Sequence, residues 1–178
     1  MATKRHGTTI LGVRHKGKVV IGGDGQVTYG DIVLKQRTTK IRKLFNDSVL
    51  VGFAGGTADA MALLDQLETR LEEFDGNLER AAHELVRDWR TDRYLRRLEA
   101  MIVAMDKKHS LLISGEGDLL APDDDLISIG SGSPFALAAA RAYVDGSKLG
   151  AAEIVARALK IAADLCIFTN DEISVIEL

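Results

Sequence analysis

The sequence predicts an α+β protein built as a four-layer αββα sandwich, two antiparallel sheets packed face to face with a pair of helices on each outer side. Two observations predict it. The strand-like runs occur in clusters with two helical stretches after each cluster, whereas a parallel doubly wound sheet needs a helix between successive strands. The length, 178 residues without a recognisable linker, is that of one domain able to bury a substantial core.

Taken in order, Thr8 to Val13 and Lys18 to Ile21 are rich in Val, Ile and Thr and are separated by a Lys-Gly pair, which reads as a hairpin. Gly22-Gly23-Asp24-Gly25 ends it. Thr38 to Phe45 alternates basic and apolar residues, Asn46-Asp47 marks a turn, and Ser48 to Phe53 follows; these four runs read as one antiparallel sheet. Beyond Ala54-Gly55-Gly56, Thr57 is placed to cap a helix with apolar positions Met61, Leu64, Leu67, Leu71 and Phe74, which Gly76 stops. Asn77 is placed to cap a second, with Leu78, Ala82, Leu85 and Trp89 on one face. Arg87, Arg90, Arg93, Arg96 and Arg97 lie largely elsewhere, as a solvated face or a docking surface for a protein partner.

A second sheet is expected from Ala100 to Met105, His109 to Ser114, Leu119-Leu120 and Leu126 to Ile129. Ser131-Gly132-Ser133-Pro134 then supplies a loop, a cap at Ser133 and a proline at the first helical position. An alanine-rich helix runs through Val144 to a stop at Gly146. A fourth helix starts near Ala151 with Ile154, Ala158, Ile161 and Leu165 on one face, and a strand from Ile173 to Ile176 closes the chain.

Composition narrows the function. A formal net charge of −3 gives no electrostatic reason to expect nucleic acid. The single Cys166 excludes an intrachain disulfide, which fits a reducing cytoplasm. The opening Met-Ala-Thr-Lys-Arg-His-Gly has basic residues but no apolar core of a signal peptide, and no run approaches the roughly 18 apolar residues of a membrane span. A cytoplasmic protein independent of membranes is expected.

The chemistry concentrates at Gly7-Thr8-Thr9-Ile10. A threonine hydroxyl is a poor nucleophile near neutral pH, and the simplest base available to it is the threonine's own α-amine. That amine, with an unperturbed pKa of about 7.7 to 8.0, exists only if the bond after Gly7 is cut. Residues 1–7 would then be a propeptide and residues 8–178 the single mature domain. The alternative is that Thr-Thr-Ile, β-branched throughout, simply opens a strand. Gly52 to Gly56, between a strand and a helix, matches neither a P-loop nor a dinucleotide fingerprint, so no nucleotide is expected on this chain. Backbone N–H groups at such a helix start also suit the oxyanion of a tetrahedral intermediate. Val51 to Ala54 is expected to form an edge on which an extended peptide can pair.

Gly7-Thr8-Thr9-Ile10, Gly22-Gly23-Asp24-Gly25-Gln26, the run from Gly52 to Ala60, Asp88-Trp89-Arg90-Thr91-Asp92-Arg93 and Ile129-Gly130-Ser131-Gly132, in this order and at these intervals, resemble the N-terminal-nucleophile hydrolases. Within them the resemblance is to the bacterial proteasome-like peptidases, and it covers the chain from Thr8 onward.

The resemblance implies a threonine peptidase that first cuts its own Gly7–Thr8 bond. Thr8 is its nucleophile. Lys40 is the ammonium beside it, fixed by Asp24; Ser131 holds the Thr8 amine; and Gly55 contributes the oxyanion site. It also implies a sodium ion on the backbone carbonyls of Ala163, Cys166 and Thr169. Relatives carry Gly where this chain has Ala163, a change that matters only if that backbone needs a positive φ. Relatives form homododecamers of two stacked hexameric rings, act on polypeptides, and are activated by a separate hexameric AAA+ unfoldase that hydrolyses the ATP. An inactive ring scaffold and a small-molecule amidohydrolase of the same fold are the alternatives.

Overall fold

The structure, a computed structural model, describes residues 7–91 and 98–178. Residues 1–6 of the expected propeptide lie outside the described residues, as do Asp92, Arg93, Arg96 and Arg97.

Strands β1 (Thr9–His15) and β2 (Lys18–Gly23) form the predicted hairpin, paired from His15↔Lys18 to Ile10↔Gly23. Its two-residue turn, Lys16 and Gly17, takes φ of 51° and 74°, the left-handed pair whose twist matches that of the flanking strands. A short hairpin not anticipated from the sequence follows, β3 (Val27–Tyr29) with β4 (Ile32–Lys35). Next come β5 (Ile41–Leu44), β6 (Val49–Gly55), α1 (Thr57–Glu73), α2 (Leu78–Thr91), β7 (Ala100–Met105), β8 (Ser110–Ser114) and β9 (Leu119–Leu120). β10 (Leu126–Gly130), α3 (Ser133–Gly146), α4 (Ala151–Leu165) and β11 (Ser174–Glu177) complete the chain.

The fold class is as predicted, but the assignment of strands to sheets is not. β1 and β2 lie in a four-stranded sheet of order β10-β1-β2-β11, while β5 and β6 belong to a five-stranded sheet of order β5-β6-β7-β8-β9. The chain changes layer between Gly23 and Ile41, and β7 extends the sheet that β5 and β6 began rather than opening a new one. Alternation within a strand reports which face is buried, not which strand lies alongside.

Three apolar clusters cement four layers. Leu63, Leu67, Leu71, Leu78 and Trp89 of the first helix pair pack on one sheet with Val49, Val51 and Ile102. Ile154, Val155, Ala158 and Leu159 of α4 join Ala136 and Ala140 of α3 over Leu11 and Val13. Ile10, Ile21, Leu50, Val103 and Ile129 fill the space between the sheets. Because β6 faces a helix pair on one side and a sheet on the other, Val49 to Ala54 are all buried, which explains why this strand reads as an unbroken apolar run. Trp89 is buried with its indole N–H donating to the Gly115 carbonyl at 2.7 Å.

Helix ends differ in detail. Asn77 accepts the Arg80 N–H at 3.0 Å as the expected cap of α2. Thr57 and Ser133 do not cap; each is the first helical residue, behind Gly56 and Gly132 at positions with no side-chain cap bond. Leu165 is 60 % exposed, because the buried stripe of α4 runs through Ala151, Ile154, Val155, Ala158, Leu159 and Ala162 and is complete one turn earlier. Among the described residues no helix is long and apolar enough to cross a membrane.

Candidate active site

Thr8 precedes β1 at the end of the four-stranded sheet where β2 leaves and β10 leaves. The registers Ile10↔Gly23 and Thr9↔Gly130 bring the next residues of those strands, Asp24 and Ser131, beside Thr8 and Thr9. Asp24 Oδ1 accepts the Thr9 N–H at 2.8 Å and Asp24 Oδ2 accepts the Gln26 N–H at 2.9 Å. Ser131 Oγ accepts the Thr8 N–H at 3.4 Å and donates to the Thr8 carbonyl at 3.2 Å.

Lys40 reaches the same point from the other sheet, one residue ahead of β5. Its ammonium donates to Asp24 Oδ1 at 2.9 Å, to the Gly7 carbonyl at 3.3 Å and to the Gln26 carbonyl at 2.5 Å. All three of its donors are used. Lys40 and Asp24 are only 4 % and 1 % exposed. Burial pulls the Lys40 pKa below its ordinary value, and the charge and hydrogen bond of Asp24 oppose that pull.

The Thr8 hydroxyl donates to the Gly7 carbonyl at 2.6 Å, so this oxygen accepts from both Thr8 and Lys40. The Gly7 N–H is held by Thr28 Oγ1 at 2.7 Å. A Cβ on Gly7 would stand 2.3 Å from the Phe168 carbonyl and 2.5 Å from Thr28 Oγ1. Glycine is what fits there.

Gly55 ends β6 with φ +105° and lines one small cavity with Gly7, Thr8, Lys40, Phe53 and Thr28. The expected peptide edge is shorter than predicted. Val51 and Gly52 are already paired with Arg42 and Ile41, and the Phe53 N–H donates to the Lys40 carbonyl, so β5 leaves that side of β6 open only from Ala54. The structure thus joins Thr8, Asp24, Lys40 and Ser131 in one hydrogen-bonded cluster, with Gly55 on the same cavity.

Ala163, Cys166 and Thr169, at and just beyond the C-terminal end of α4, are not members of that cluster but border it: Thr169 Cγ2 would stand 3.2 Å from a Cβ on Gly132, next to Ser131. Cys166 is the residue that closes the helix, and its carbonyl accepts the Thr169 N–H at 3.2 Å. Ala163 is an ordinary helical residue without positive φ, so alanine in place of glycine brings no backbone strain. Thr169 is buried with an unpartnered hydroxyl. Among the described residues no group of His, Cys, Asp and Glu side chains is placed to hold a metal ion, so a cation at this helix end would depend on carbonyl oxygens.

Sequence reasoning missed Thr28 and the Gln26 carbonyl, because it passed over the β3–β4 hairpin. A signal was there: Gly30-Asp31 stands between the β-branched and aromatic pairs Thr28-Tyr29 and Ile32-Val33.

The family model of the proteasome subunit matches residues 4–178. The chain is similar to the solved structure of eukaryotic HslV from Trypanosoma brucei, at 46% identity and TM-score 0.90 over 96% of this chain and 98% of that one. Thiobacillus denitrificans BPH, alone (16% identity, TM-score 0.73) and in complex with epoxomicin (17%, 0.71), shares the fold over 96% of this chain and 97% of each of those. On its family match and its likeness to HslV along nearly its whole length, the chain belongs to the proteasome subunit family as an HslV-like peptidase.

Proposed function

We propose that this chain is the proteolytic component of a two-part ATP-dependent protease, a threonine peptidase whose nucleophile is Thr8 once the Gly7–Thr8 bond has been cut. The observation that carries this reading is the Gly7 carbonyl, which accepts from the Thr8 hydroxyl at 2.6 Å and from the Lys40 ammonium at 3.3 Å.

The hydroxyl thus lies beside the carbonyl it would attack, and Lys40 offers positive charge to the oxygen that becomes anionic. Attack forms an Oγ–C bond and breaks the C–N bond, whose nitrogen takes up a proton and becomes the Thr8 amine. Water then cleaves the ester, releasing residues 1–7 as a carboxylic acid and restoring the hydroxyl. Peptide substrates follow the same two steps, with the amine as base and Ser131 holding it. The Gly55 amide serves the oxyanion. Asp24 keeps Lys40 charged, and the charged Lys40 disfavours protonation of the amine.

The wider assignment follows the likeness to HslV: a homododecamer of two stacked hexameric rings in the cytoplasm, fed with unfolded polypeptides and allosterically activated by the AAA+ unfoldase HslU. A sodium ion on the carbonyls of Ala163, Cys166 and Thr169 belongs to the same proposal, supported by the carbonyl lone pairs a helix C-terminus leaves over, the Cys166 oxygen keeping one beside the Thr169 N–H, and by the orphaned Thr169 hydroxyl. Its contribution when bound is a fixed positive charge. The test is intact mass together with peptide hydrolysis. Wild-type protein should lose residues 1–7 and hydrolyse peptides, Thr8→Ala should do neither, and activity that survives Thr8→Ala sinks the mechanism.

A further inference from the structure

The proposed role of Gly55 depends on where its amide points, and contacts outside the Thr8 cluster set that direction. Glu99, immediately before β7, accepts the Gly56 N–H through its carbonyl at 2.8 Å. The same oxygen would stand 2.2 Å from a Cβ on Gly55, so it abuts one glycine while holding the next. Glu99's own N–H donates to Asp59 Oδ2 at 2.9 Å. Asp59 lies in the first turn of α1, and Oδ2 is 3.6 Å from the Cβ position of Gly56. The loop closes through α1 itself, where the Ala60 N–H donates to the Gly56 carbonyl at 2.8 Å.

We propose that Asp59 is a positioning residue for the oxyanion site, acting through the Glu99 backbone, which anchors Gly56, to aim the Gly55 amide at the cavity that holds Thr8. This rests on the peptidase reading above. A carboxylate accepting a backbone N–H makes a charge-assisted bond, and an acid in the first turn of a helix is favoured by the helix dipole. The N-terminus of α1 has no side-chain cap bond, so Asp59 is not spent as its cap. It instead ties the end of β6, the start of β7 and the start of α1 into one unit. A misplacement of about 1 Å at a catalytic group costs on the order of a hundredfold in rate.

The experiment compares wild type, Asp59→Ala and Asp59→Asn, each expressed from the full chain and assayed as processed, assembled protein, using a fluorogenic peptide amide and a peptide aldehyde. The aldehyde's hemiacetal with Thr8 places an oxyanion in the site, whereas the substrate ground state does not. Asp59→Ala should lower kcat by about 10- to 100-fold, less than the roughly 10²- to 10³-fold loss on deleting an oxyanion donor outright. KM should stay within about twofold and aldehyde affinity should fall in step with kcat/KM. Asp59→Asn, which still presents an acceptor oxygen to Glu99, should recover most of the loss. Asp59→Leu, close in volume and without an acceptor, replaces the alanine variant if that one does not assemble. Loss of thermal stability with kcat within about threefold of wild type, a change in KM alone, or unchanged aldehyde affinity overturns the proposal. Wild-type protein without Thr8-dependent activity overturns the peptidase reading and this proposal with it.

Discussion

Lys40 and Asp24 form a buried ion pair of 2.9 Å that bridges the two sheets, Asp24 at the end of β2 and Lys40 at the start of β5. Each charge is satisfied further by backbone groups: the Thr9 and Gln26 amides donate to Asp24, and the Gly7 and Gln26 carbonyls accept from Lys40. A pair so enclosed tolerates the loss of both partners better than the loss of one, because one partner alone leaves a buried charge uncompensated.

Lys40→Met and Asp24→Asn should therefore each destabilise the protein by about 3–5 kcal/mol, and the double variant by less than their sum. Thermal unfolding of the four proteins checks it. A double variant that melts at the additive position would mean that the pair is not energetically coupled.

Activity should fall on the alkaline side of a pH profile as Lys40 loses its proton, at a pH below the ordinary lysine value of 10.5 because burial depresses this group. Asp24 opposes that depression, so Asp24→Asn should move the alkaline limb to lower pH. Stability has the opposite sense. Between the depressed folded pKa and the unfolded value the unfolded chain binds more protons, so Lys40's contribution to stability rises with pH across that window and is lost as pH falls through the folded pKa. Profiles of kcat/KM and of the melting midpoint against pH measure the two separately. An alkaline limb unmoved by Asp24→Asn would remove Lys40 from that limb.

Gly55→Ala forces a side chain onto a backbone at φ +105°, with its Cβ 2.2 Å from the Glu99 carbonyl and 2.9 Å from Ala100 Cα. Strain of about 1–3 kcal/mol and displacement of the amide are expected, with kcat down by about 10²-fold or more. Steady-state kinetics and thermal melts on the same preparation test both effects.

Thr28→Val removes the acceptor that holds the Gly7 N–H and leaves that buried amide unpaired, at a cost of about 1–3 kcal/mol in the uncut chain. Self-cleavage should slow by about tenfold or more on that account, whereas the processed enzyme, which no longer has Gly7, should keep kcat within about threefold. A time course by intact mass, followed by peptide hydrolysis, separates the stages. Equal slowing of both would place Thr28 in the substrate reaction instead.

Much of this was legible in the chain. The clustering of strands gave the four layers, and the apolar stripes of α1 and α2 gave their buried faces at Leu64, Leu67, Leu71, Leu85 and Trp89, since a period of 3.6 or 2 is imposed by backbone geometry that every residue shares. The resemblance of Gly7-Thr8, Asp24, Lys40 and Ser131 to a known family named a cluster that the structure assembles. Spacing alone does not single out Lys40, one of several cations between Lys35 and Lys43, because its distinction is that it points inward.

What the sequence by itself determined is therefore local and periodic: the elements, most of their ends, and which side of each is apolar. Tertiary structure alone decided which sheet each strand joined, that Thr28 grips Gly7, and that Asp59 meets Glu99 across 40 positions of the chain. Those outcomes depend on long-range pairing, in which one hydrogen bond or one register shift chooses between partners that look alike along the chain. No local pattern carries that information.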